Sequence, residues 1–129
     1  MDKFLRIAVV LMGIAMLLGA IGFIFSPDAM EAQFSVVASR IDGMGTLRAD
    51  LGGLFLTLAL FTLYGSRPGK GAWLAVPAVF MLTAILGRSV HMLVDGLSEP
   101  AIRSTGVEII CLGLLEAARR RLSDNRAEA

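Results

Sequence analysis

Residues 7–25 read IAVVLMGIAMLLGAIGFIF, nineteen positions without a single charge. A helix rises 1.5 Å per residue, so about 20 apolar residues cross the hydrocarbon of a bilayer. Ser26-Pro27-Asp28 closes the run. Lys3 and Arg6 precede it, as basic residues precede the apolar core of a secretory signal. The run is longer than the usual signal core of about 7–15 residues, and no A-x-A cleavage site follows. It is expected to stay in the protein as a first membrane span. No lipobox cysteine follows it either.

Three further apolar runs lie at about 47–64, 72–97 and 102–118. Gly65-Ser66-Arg67-Pro68-Gly69-Lys70-Gly71 separates the second from the third and has the composition of a tight turn. Ser98-Glu99-Pro100 precedes the fourth, with Pro100 near a helix start, where its missing N–H costs nothing. A chain of 129 residues allows one domain, 1–129. With 56% hydrophobic and 18% charged residues, disorder is excluded. The single Cys111 excludes a disulfide scaffold and paired-cysteine redox chemistry. A net charge of +1 provides no field to attract nucleic acid. In lipid each span must satisfy its own backbone, so the spans are helices. The expected fold is all-α, an integral membrane four-helix bundle.

Basic residues set its orientation. Lys3, Arg6, Arg67, Lys70, Arg119, Arg120, Arg121 and Arg126 all fall on one side if four spans alternate. The opposite loops carry Arg40 and Arg103. The positive-inside rule puts both termini in the cytoplasm, at a bacterial inner membrane. Between the first two spans, Met30, Phe34, Val37, Ala38 and Ile41 recur at helical spacing, with polar residues elsewhere. This predicts a short amphipathic helix on the outer interface, a simple connector in preference to a lid. Asp42-Gly43-Met44-Gly45 is expected to turn the chain back into the membrane.

Six ionisable residues within the spans are singled out: Arg48, Asp50, Arg88, His91, Asp95 and Glu108. Such groups are costly in lipid and usually pair in the bundle interior. Arg88, His91 and Asp95 follow an i, i+3, i+7 spacing, which lines one helical stripe. Arg88 and Glu108 overlap in depth with opposite sign, so their ion pair is the strongest expected contact. The expectation is one polar cluster in the outer-leaflet half. A buried pair that only fixes helix register gives the same pattern, and snorkelling explains Arg48 and Asp50 as simply. His91 and Glu108 are the candidates for acid–base catalysis. No comparable cluster is expected in the inner half of the spans, so no ion path is evident.

Other features are weaker. Ala15-x-x-x-Gly19 and Gly52-Gly53 permit close helix approach. Packing within one chain explains them more simply than a homo-oligomer, with which they are also compatible. No metal-ligand cluster, phosphate-binding glycine loop, nucleophile elbow or HExxH occurs, and no cofactor or metal is expected.

Arg48-Ala49-Asp50-Leu51-Gly52-Gly53 opening the second span, Gly87-Arg88 late in the third and Glu108 in the fourth form an ordered pattern. It resembles the bacterial membrane proteins grouped as domain of unknown function 4345, over nearly the whole chain. A looser likeness is to DoxX-like four-helix proteins. In the former family the acidic residue after Arg-Ala is often Glu and an aromatic often follows, so Asp50 and Leu51 depart from its pattern. The resemblance implies a four-helix membrane fold and no particular activity.

The expected function is binding of a lipid or other amphiphile by Arg48, Asp50, Arg88, His91, Asp95 and Glu108. The alternatives are an accessory membrane protein whose Arg–Glu network only holds the bundle, and an isomerase-like membrane enzyme.

Overall fold

A computed structural model describes residues 2–124, and every regular element within them is a helix. Arg126, expected to anchor the cytoplasmic side, lies outside the described residues. The helices are α1 (Asp2–Phe25), α2 (Pro27–Phe34), α3 (Ile41–Gly65), α4 (Gly71–Val94) and α5 (Glu99–Asp124). A π turn over Leu47–Gly52 interrupts α3, and a 3-10 turn over Gly71–Leu74 opens α4.

α1, α3 and α4 are each long and apolar enough to cross a membrane. They bury only 28%, 28% and 22% of their most apolar windows, so most of their apolar surface faces outward. Leu11, Leu18, Leu60 and Leu86 are each more than half exposed. Contiguous apolar surface on this scale is foreign to a water-soluble monomer and suits a hydrocarbon solvent. α5 is not among the helices that meet this standard. It carries Arg103, Glu108, Glu116 and Arg119 within its length.

The boundaries correct three expectations. Asp42-Gly43-Met44-Gly45 is not a turn but the first part of α3, which therefore begins at Ile41. The amphipathic helix ends at Phe34, because Ser35 adopts a left-handed conformation (φ 54°). Val37 and Ala38 follow it without helix, and the Ala38 N–H donates to Glu31 Oε1 at 2.7 Å. The fourth helix starts at Glu99 and runs to Asp124, well beyond the expected 102–118.

α1 and α3 run antiparallel, with Gly13 against Leu63, Gly19 against Phe55 and Gly52 against Ile24. Gly19 thus serves packing within the chain. α4 packs chiefly on α5. The pairs join at the Gly71 end, where a Cβ on Gly71 would lie 2.7 Å from the Arg119 carbonyl oxygen and 2.8 Å from the Ser123 nitrogen. All four long helices contribute to one core there, including Val9 and Met16, Leu58 and Ala59, Leu74 and Ala78, and Leu115 and Ala118. Small residues such as Gly71, Ala59, Ala78 and Ala118 let the helices approach closely around the larger side chains of this core. Toward the Pro27 end the pairs diverge. Phe34 of α2 packs there at a tilt on Phe23 (4.9 Å between centroids) and edge-on to Phe55 (5.5 Å).

Candidate functional site

The divergence of the helix pairs leaves a cleft of about 620 Å³, inside the ~300–1,000 Å³ range of small-molecule sites. Its walls are mostly apolar, with Leu54, Phe55, Met81 and Val107 among them. Its polar lining comes from Gln33, Arg88, Arg103, Ser104, Glu108 and Cys111. Gln33 and Phe34 belong to α2, so that helix is part of the cleft wall and not a bare connector.

Arg88 and Glu108 face each other from α4 and α5. At the helical rise, Arg88 lies about 9 Å from the Val94 end of α4 and Glu108 about 13 Å from the Glu99 end of α5. Arg88 Nε donates to Glu108 Oε1 at 2.8 Å. The Arg88 side chain is 41% exposed and that of Glu108 only 13%, so the carboxylate is the enclosed partner. The bond is single, not the two parallel bonds that a guanidinium can give a carboxylate. Glu108 Oε2 is buried without a partner among the described residues. Leaving a buried acceptor unmatched costs about 1–3 kcal/mol, and more when it is charged.

The other expected members of the cluster lie elsewhere. His91 Nδ1 and Asp95 Oδ2 are 2.8 Å apart on consecutive turns of α4, and both side chains are about half exposed or more, at 49% and 62%. Neither lines the cleft. Arg48 turns to the end of α1, where Nη1 donates to the Ile24 carbonyl at 3.2 Å. Asp50 is exposed in the π turn of α3 and forms no ion pair among the described residues. The six residues thus do not converge. Of the i, i+3, i+7 stripe, Arg88 bonds to α5, whereas His91 and Asp95 pair with each other.

Sequence reasoning missed Arg103, Ser104, Cys111 and Gln33. Arg103, counted in the charge balance with the outer loops although it falls inside the run at about 102–118, sits on α5, lines the cleft and lies 3.6 Å from Glu99. A usable signal was present, since Ser104, Glu108 and Cys111 share one helical face by their i, i+4, i+7 spacing. Among the described residues no group of three or more His, Cys, Asp or Glu side chains is placed to hold a metal. Comparison with protein-family models, curated proteins and solved structures gives no match, so a functional reading of this cleft rests on its own chemistry.

Proposed function

We propose that the chain binds an amphiphile in the cleft between its helix pairs. The observation that carries this reading is the half-matched ion pair in an apolar wall. Glu108 Oε2 lacks a donor, and the Arg88 terminal nitrogens form no hydrogen bond among the described residues. A polar head with one acceptor for Arg88 and one donor for Glu108, such as a hydroxyl or an amide, complements both. The apolar walls suit a hydrocarbon tail.

The proposal includes the membrane setting. α5 would be the fourth span, with Ile102, Ile109 and Ile110 toward lipid, all more than half exposed. Its charges are eased by pairing, Glu108 with Arg88 and Glu116 with Arg119 and Arg120. The basic residues at the Gly71 end favour that end as cytoplasmic, with both termini inside a bacterial inner membrane. The cleft would then open toward the outer leaflet. The ordered Arg48–Gly53, Gly87-Arg88 and Glu108 pattern supports membership among the proteins of domain of unknown function 4345.

Mass spectrometry of purified protein tests the reading. Wild-type protein should carry an amphiphile that Arg88→Ala loses, and equal content in both would overturn it. A second reading, an accessory protein in which the pair only holds helices together, draws on the 2.8 Å Arg88–Glu108 bond itself. The isomerase-like reading has less support, since His91 is engaged with Asp95 outside the cleft lining.

A further inference from the structure

Tyr64, Arg67, Lys70 and Trp73 stand at three-residue intervals through the turn that joins α3 to α4. Backbone bonds tie each interval: Arg67 N–H to Tyr64 O (3.2 Å), Lys70 N–H to Arg67 O (3.0 Å) and Trp73 N–H to Lys70 O (3.0 Å). Gly69, at φ 72°, supplies the left-handed step that lets Lys70 fold back. Four side chains are thereby gathered by the backbone itself. The Arg67 guanidinium lies 5.4 Å from the centre of the Tyr64 ring, and the Lys70 ammonium 5.7 Å from the same centre. Trp73 meets Tyr64 edge-on at 5.7 Å.

Two like charges at one ring repel. The turn from Gly65 to Gly71 contains no acidic residue, and neither cation takes part in an ion pair among the described residues. By contrast, Arg119 and Arg120 are already engaged by Glu116. Directly beside Arg67 is an apolar cleft of about 620 Å³ lined by Leu60, Phe61, Leu63, Tyr64 and Trp73. Leu60 and Trp73 are about half exposed there, at 58% and 47%. An anion next to an apolar groove fits this surface: the phosphate relieves the repulsion, and the attached chain covers the groove. Tyr and Trp are also the side chains that favour the headgroup level of a bilayer.

We propose that Tyr64, Arg67, Lys70 and Trp73 form a binding site for an anionic phospholipid, its phosphodiester between Arg67 and Lys70 and one acyl chain along Leu60 and Phe61. This site lies at the opposite end of the helices from the Arg88–Glu108 cleft and does not depend on what that cleft binds.

Native mass spectrometry of the full chain in detergent, titrated with dioleoylphosphatidylglycerol or dioleoylphosphatidylcholine, tests it. Two basic residues near an anionic lipid, at about 1 kcal/mol each, should make wild-type protein favour phosphatidylglycerol about thirtyfold. Arg67→Gln with Lys70→Gln should abolish that preference, while Arg67→Lys with Lys70→Arg should keep it. Should the double Gln variant fail to fold, Lys70→Gln alone should lower the preference severalfold. Equal binding of the two lipids by wild-type protein, or an undiminished preference in the Gln variants, would overturn the proposal. An amphiphile lost through Arg88→Ala should persist in the Arg67/Lys70 variants, which keeps the two sites distinguishable.

Discussion

Arg88 holds Glu108 through one hydrogen bond of 2.8 Å and leaves the second carboxylate oxygen buried and unmatched. A pair meant only to lock two helices would gain more from both oxygens. The single bond joins α4 to α5 and leaves one enclosed oxygen of a cleft-lining carboxylate without a donor.

The asymmetry of burial orders the variants. Arg88→Ala strips an enclosed carboxylate of its donor, whereas Glu108→Gln removes the enclosed charge and leaves a carbonyl for Arg88 Nε. Arg88→Ala should therefore destabilise the protein by about 1–3 kcal/mol and Glu108→Gln by less. Thermal unfolding in detergent checks the order.

Exchanging the two residues separates scaffold from site. Arg88→Glu combined with Glu108→Arg should recover most of the stability lost by either single change. It should not recover the bound amphiphile, because donor and acceptor trade places in the cleft. Recovery of both would favour the accessory reading.

His91 and Asp95 form an exposed pair on one helix, and such pairs are worth about 0–1 kcal/mol. His91→Ala should leave stability within that range and amphiphile content unchanged. A large loss of bound amphiphile in this variant would restore His91 to the site.

Gly71 sits where α4 meets the backbone of α5. Neither the Arg119 carbonyl nor the Ser123 nitrogen can swing aside as a side chain can. Gly71→Ala should cost about 1–3 kcal/mol, the usual penalty for overpacking, whereas Gly113→Ala, with open space around it, should cost much less. Unfolding temperatures of the two variants give the comparison.

The first span was legible because Ile7–Phe25 is uniformly apolar and needs no partner to define it. The start of α3 was not, because two glycines in Asp42–Gly45 read as a turn. In the folded chain Gly43 lies against Ala38, and the helix continues through a π turn into the apolar run. Opposite charge at overlapping depth made the Arg88–Glu108 contact legible. Helical spacing placed Arg88, His91 and Asp95 on one stripe but did not say which edge meets a neighbour. That depends on the rotation of α4 against α5, a tertiary property. Arg103 was missed because a basic residue at the edge of an apolar run reads as an orientation charge at the interface, and only the packing of α5 makes it part of the cleft wall.

Filling the cleft without touching its charges tests the central claim most directly. Ala84 lines the cleft, while Leu82 on the same helix points outward and is 48% exposed. Amphiphile content measured by mass spectrometry should fall sharply in Ala84→Phe and stay at the wild-type level in Leu82→Phe, with both variants folded. The same amphiphile content in wild-type protein and both variants would contradict the account.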